Sequence, residues 1–148
     1  MTMSADLSVR NSTAAQQRAS DTLLRCLGGA TVLLRLPTPA VAGSDEEQLG
    51  ETTPTYEDIP LSPTVFRRLR PKLSDGAVNR YELLISATSV QAQLGLLQLS
   101  STSQLFAMAS GIFVDGELML IEAAAEAEAF GRPYLYRLIV RGPQNQPL

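Results

Sequence analysis

Asp115-Gly116 separates two apolar runs, Gly111 to Val114 and Glu117 to Ile121, and a third run, Tyr134 to Arg141, follows soon after. A two-residue hairpin turn needs positive φ at its central positions, and Asp-Gly reaches that conformation at low cost. In the third run Tyr134, Tyr136, Leu138 and Val140 alternate with Leu135, Arg137, Ile139 and Arg141, the period of a strand with one buried face. The last third of the chain therefore reads as strand, tight turn, strand, loop, strand. That commits the fold to antiparallel β-structure.

Local propensity argues against this reading in one place. Glu117 to Phe130 is rich in Ala, Glu, Leu and Met, all strong helix formers. Against a helix stand the Asp-Gly turn before it, the alternation of Glu122, Ala124, Glu126 and Glu128 with Ile121, Ala123, Ala125 and Ala127, and the partner that Tyr134 to Arg141 would otherwise lack. Pairing overrides propensity, and a strand is expected.

Upstream, residues 1–11 are polar and are expected to form a flexible arm. Asn11 or Ser12 can cap a helix over 12–27, with Ala14, Ala15, Ala19, Leu23, Leu24 and Leu27 as its apolar stripe and Gly28-Gly29 ending it. Such a helix packs either on its own domain or on a neighbouring subunit. Ala30 to Leu36 is short and contains β-branched residues, and Pro37 and Pro39 close it, so it reads as a strand. Residues 37–63 hold five prolines, Pro37, Pro39, Pro54, Pro60 and Pro63, and no sustained period. They are expected to form a long exposed loop, either a binding loop or a surface excursion. Val65 to Lys72 is a short strand or a single helical turn ending before Pro71. Ser74-Asp75-Gly76 is a turn, and Asn79 to Ala87 is a strand with Tyr81, Leu83 and Ile85 on one side and Glu82 and Leu84 on the other. Two short helices are expected between Thr88 and Ala109, with Thr88, Ser89 and Ser100 to Ser103 as candidate caps.

At 148 residues the chain fits one domain that buries a core without disulfides or metals. The expected division is an arm over 1–11, a single domain over 12–141 and a C-terminal tail over 142–148. With aromatics at 5% and no Trp, aliphatic residues and Ala must fill that core. The expected class is mainly β, α+β in the broad sense: a small β-barrel or sandwich-like domain with an N-terminal helix and a long flexible loop.

Several function classes lose their chemistry. The chain has no His, which removes Ser-His and Cys-His nucleophilic pairs and histidine-ligated metal sites. Cys26 is the one cysteine, so no intrachain disulfide or Cys-based zinc site forms. No phosphate-binding glycine motif occurs. Glu122 and Glu126 on one strand face would stand about 13 Å apart, too far for a paired acid and base. No catalytic residue, cofactor or metal is expected. Neither a secretory leader nor an apolar span of membrane length is visible, which makes a soluble, intracellular protein the expectation.

The net charge of −3 gives no strong global field, but its distribution is uneven. Asp45, Glu46, Glu47, Glu51, Glu57 and Asp58 make one stretch acidic, and Arg67, Arg68, Arg70 and Lys72 make the next basic. Every basic residue except Lys72 is arginine, suited to planar multidentate contacts. The basic run either meets nucleic-acid phosphates or pairs with the acidic stretch or an acidic neighbour. No aromatic residues interleave with it as single-strand binders require.

The order of elements, with Thr22-Leu23-Leu24-Arg25-Cys26-Leu27-Gly28-Gly29-Ala30-Thr31-Val32, Glu82-Leu83-Leu84-Ile85-Ser86-Ala87-Thr88-Ser89-Val90 and Phe113-Val114-Asp115-Gly116-Glu117-Leu118-Met119-Leu120-Ile121, resembles the small tailed-phage head-to-tail joining proteins of the lambda type. The likeness runs from about Ala14 to Arg141. It implies a non-enzymatic β-barrel subunit of a virion neck. The subunit would form a homo-oligomeric ring between portal or adaptor and tail, with DNA passing through the lumen without sequence-specific binding. It also implies that the N-terminal segment and long loop order on assembly, which disordered segments that fold on binding do. The segment from Gln91 to Ser110 departs from the shorter family members, so a head-completion or tail-terminator role stays open. A soluble cellular binding module is the alternative outside the family. In a ring each subunit face complements a different face of the next, and the acidic stretch 45–58 and basic stretch 67–72 are the candidate inter-subunit surfaces, the basic one also a candidate DNA-facing surface.

Overall fold

The structure is a computed structural model that describes residues 3–38, 55–69 and 79–142. Six strands form a closed antiparallel barrel in the order β1-β2-β3-β6-β5-β4. They are β1 (Ala30–Thr38), β2 (Thr55–Arg68), β3 (Arg80–Ser86), β4 (Gly111–Val114), β5 (Glu117–Ala129) and β6 (Arg132–Arg141). Helix α1 (Met3–Cys26) precedes the barrel, and α2 (Ala87–Leu97) and α3 (Thr102–Met108) lie between β3 and β4. The expected mainly β fold is therefore the observed one, a barrel rather than a sandwich.

Both hairpins among the described residues use two-residue turns with positive φ throughout. Asp115 and Gly116 sit at 51° and 81°, and Phe130 and Gly131 at 55° and 74°. The first is the turn the sequence predicts. The second replaces the expected loop between β5 and β6, and it keeps the two strands in register from Leu120↔Arg141 to Ala129↔Arg132, with bulges at Glu122 and near Glu128. Pairing along the whole of β5 is what overrides the helix propensity of its Ala-Glu run.

The barrel closes where β1 meets β4, through Leu33↔Phe113, Leu34↔Ile112 and Arg35↔Gly111. Gly111 is needed there: a Cβ would fall 2.7 Å from the Met119 carbonyl oxygen and 2.8 Å from Leu118 Cδ1.

The long loop expected over 37–63 is shorter than that. Pro37 and Thr38 belong to β1, and residues 55–63 to β2, paired Pro37↔Tyr56 and Leu33↔Pro60. β2 meets β3 only from Thr64 onward, so its first half is an edge on that side, where prolines cost no ladder bond. Helix α2 covers this edge: Gln93 Nε2 donates to the Pro60 carbonyl at 3.4 Å, and the Ser62 amide donates to Ser89 Oγ at 3.1 Å. Val65 to Arg68 continues β2 as a strand. Residues 39–54, the expected Ser74-Asp75-Gly76 turn and the tail from 143 onward lie outside the described residues.

The barrel is filled by aliphatic side chains, as the scarcity of aromatics demands. Val32, Leu34, Leu61, Leu83, Ile85, Ile112, Leu138 and Val140 are fully buried, and Val90, Leu105 and Phe106 of the two short helices join the same cluster. Ser86 and Ser101 cap those helices by accepting from the Ser89 and Gln104 amides, so the expectation of two short helices holds with the first cap placed slightly earlier. Tyr136 Oη and Thr102 Oγ1, 3.0 Å apart, tie α3 to β6.

Helix α1 departs most from expectation. It begins at Met3 rather than near Ser12, so most of the segment read as an arm has helical backbone. At its other end the Gly29 amide bonds to the Leu24 carbonyl at 2.9 Å and the Gly28 amide to the Arg25 carbonyl at 3.4 Å. This Schellman closure needs the positive φ of 138° that Gly28 supplies.

Candidate assembly surfaces

A helix beside an aliphatic barrel is expected to turn its apolar stripe inward. From Thr13 onward α1 does the reverse. The residues it buries are Thr13, Asp21 and Leu24, with Gln17 half-buried. Ser86 Oγ donates to Asp21 Oδ1 at 2.6 Å, and Gln17 Nε2 donates to the Pro133 carbonyl at 3.0 Å. Ala15, Ala19, Leu23 and Leu27 face solvent, with Leu23 63% and Leu27 66% exposed. Spaced four residues apart, they form one i±4 ridge. Exposed Arg18 and Arg25 flank it. Of the stripe expected from sequence, only Leu24 is buried. Asp21 has drawn the polar side inward because β3 ends in a serine able to donate to it.

A second apolar surface lies on the outer wall where the barrel closes. Leu33, Phe113 and Leu118 are consecutive cross-strand neighbours on β1, β4 and β5. Leu33 and Leu118 are exposed and Phe113 half-buried, with exposed Leu120 two residues beyond Leu118 on β5. An open groove of about 340 Å³ runs here, lined by Thr31, Leu33, Arg35, Asp58, Phe113 and Asp115. The Arg35 guanidinium sits 4.3 Å from the Phe113 ring centre and 5.2 Å from that of Tyr56. It donates from Nε to Asp58 Oδ1 at 3.0 Å and from Nη2 to Oδ2 at 3.2 Å. That fork holds the Asp58 carboxyl below its ordinary range and raises the Arg35 guanidinium. Asp115 and Glu117 stand exposed at the hairpin beside the groove.

Of the charged stretches expected to complement one another, the described members Arg67, Arg68 and Asp58 have partners within the chain. Arg67 and Arg137 both donate to Glu82, Arg67 to Oε1 and Arg137 to Oε2. Glu82 occupies the outer face of β3, as alternation predicts, yet it is almost fully covered. Burial pushes its carboxyl up, and the hydrogen bonds from Arg67 and Arg137 outweigh that, so it titrates below the ordinary carboxylate range. Arg68 donates to Asn79 Oδ1 at 2.9 Å. Asp58 pairs with Arg35, and Glu57 is exposed beside Leu36 at one rim of the barrel. Arg70, Lys72, Asp45, Glu46, Glu47 and Glu51 lie outside the described residues. Glu122 is bound to Arg80 at 2.8 Å.

Sequence reading missed the groove because the β1–β4 pairing that brings Phe113 beside Leu33 joins distant parts of the chain, and it missed the inverted helix because the partner of Asp21, Ser86, lies 65 residues away. Among the described residues no helix is long and apolar enough to cross a membrane, and no cluster of acidic or thiol side chains is placed to hold a metal.

The chain matches no family model, no curated protein and no solved structure.

Proposed function

We propose that this chain is a non-enzymatic assembly subunit that multiplies into a homo-oligomeric ring, of the kind that joins head to tail at the neck of a tailed phage. In that role it would sit between portal or adaptor and tail, and DNA would pass through the lumen without base-specific contact. The observation that carries the reading is the orientation of α1: a helix bound to its own barrel by polar groups, with a leucine-bearing ridge left to solvent. Contiguous exposed apolar surface of this kind marks a protein interface, and α1 provides it beside a barrel whose interior is filled by side chains. The helix, Gly-Gly turn and barrel order further supports the neck assignment.

Light scattering on the purified full chain, followed by electron microscopy of negatively stained particles, tests it. The expected result is a closed ring of several copies, formed alone or on mixing with portal, adaptor or tail-tube components. A chain that stays monomeric at every concentration and with each of those components overturns the reading.

A further inference from the structure

The two exposed apolar surfaces differ in shape and in charge. The ridge Ala15-Ala19-Leu23-Leu27 is convex, and the exposed charges beside it, Arg18 and Arg25, are both positive. The wall around Leu33 and Phe113 is grooved, and the uncompensated charges beside it, Asp115 and Glu117, are both negative, Asp58 being neutralised by Arg35. An amphipathic helix binds a groove through anchors spaced three to four residues apart, and opposite fields fix which surfaces meet. Neither surface covers the other within one chain. Leu23, Leu27 and Leu33 are all exposed, and α1 packs on β2, β3, β6 and α2, while the groove is lined from β1, Phe113 of β4, the Asp115-Gly116 turn and Asp58 of β2.

We propose that the α1 ridge of one copy seats in the Leu33–Phe113 groove of the next copy, Leu23 and Leu27 entering it and Arg18 and Arg25 facing Asp115 and Glu117. The proposal rests on the assembly reading and gives it a mechanism. Ridge and groove are different patches, so the contact is heterologous. Each subunit that docks its helix leaves its own groove open for another, and the series ends only when the rotation per subunit closes. A self-complementary helix-on-helix contact would stop at two chains. The polar attachment through Asp21 and Gln17 orients the ridge outward, so the helix is presented before its partner arrives.

The experiment uses the full chain carrying Cys26→Ser, into which Leu23→Cys and Thr31→Cys are introduced separately. After mixing and mild oxidation, a disulfide between the two variants is expected on non-reducing gels. The digested product should contain the peptide around position 23 linked to the peptide around position 31, with little self-linking of either variant. In parallel, Leu23→Glu with Leu27→Glu is expected to weaken self-association roughly thirtyfold or more, as loss of a buried anchor does. Arg25→Glu and Asp115→Arg are each expected to weaken it about tenfold, with recovery when both are carried on every copy. Leu23→Cys linking mainly to itself, or assembly unaltered by the paired glutamates, overturns this interface while leaving the assembly reading in place. A wild-type chain that never associates overturns the reading and the interface together.

Discussion

The barrel interior and the seam between α1 and the barrel are built on opposite principles. Inside, Leu34, Leu61, Leu83, Ile85, Ile112 and Leu138 interdigitate with no exposed surface. Each is worth about 1.5 to 3 kcal/mol of removal from water. At the seam, among the described side chains, Leu24 is the buried leucine, and the polar attachment includes Asp21 on Ser86 and Gln17 on Pro133 and Gln91. Net contributions of such bonds are about 1 kcal/mol, somewhat more for a charged acceptor. The barrel is held by burial and the helix by a few directional contacts. The helix can therefore be loosened without loss of the barrel, and its apolar residues are left over for another surface.

The largest expected effect tests the first half of that comparison. Leu83→Ala should cost about 3 kcal/mol in denaturant unfolding, because it removes a fully buried side chain from a closed cluster that cannot collapse around the void. The whole barrel should respond together, in one transition. A cost below about 1 kcal/mol would show a loosely packed interior and remove the contrast with the seam.

Asp21→Ala tests the second half. It deletes the buried acceptor of the Ser86 hydroxyl and should cost about 2 kcal/mol. The readout that separates the regions is amide hydrogen exchange: protection should fall across α1 and remain in β3 and β6. Equal loss of protection in the barrel would mean that helix and barrel form one cooperative unit.

Glu82→Gln addresses a third kind of contact, a covered carboxylate between two arginines. Arg67 and Arg137 are 62% and 51% exposed, so solvent screens the pair and the cost at neutral pH should be about 1 kcal/mol. The folded carboxyl titrates below its unfolded value. Its stabilisation is therefore fully present above the ordinary carboxylate range and is lost as pH falls through the lowered folded value. The gap between wild type and variant at about pH 7 should narrow progressively as pH falls through and below the ordinary carboxylate range. A constant gap across that range would assign the effect to packing rather than charge. Arg67→Glu, an obvious probe of a basic assembly surface, would instead place like charge against Glu82 and destabilise the single chain.

What the sequence makes legible follows the range of the forces involved. The Asp115-Gly116 turn, the alternation of Tyr136, Leu138 and Val140, the Ser101 cap and the two short helices are set by neighbours a few residues away, and all are readable. The strand state of Ala123 to Ala129 is readable only through its pairing requirement, since its residues prefer a helix. The prolines point to a loop over 55–63, but Pro60 lies on an edge of β2 left open because β3 pairs only from Thr64 onward, and α2 covers that edge. The sites are less legible still. Pairing of the basic run with an acidic group is one of the sequence readings, but the partner's identity is not legible: Glu82 lies fifteen residues from Arg67, and the Arg35 that takes Asp58 is on another strand. The inversion of α1 goes with long-range hydrogen bonds, from Ser86 to Asp21 and from Gln17 to the Pro133 carbonyl, which composition cannot reveal.

The smallest expected effect discriminates most sharply between the two regions. If α1 used its leucines to bind its own barrel, replacing one would cost about as much as a core truncation. Since Leu23 lies 63% exposed, Leu23→Ser should change the stability of the dilute single chain by about 0.5 kcal/mol or less, mostly through lower helix propensity. The same substitution removes an anchor from the ridge, so self-association should fall while the unfolding midpoint of the dilute chain stays almost unchanged. A variant that loses stability and association in proportion would place Leu23 in the fold rather than at the interface. Unequal loss of the two separates the helix's service to its own barrel from its service to the next.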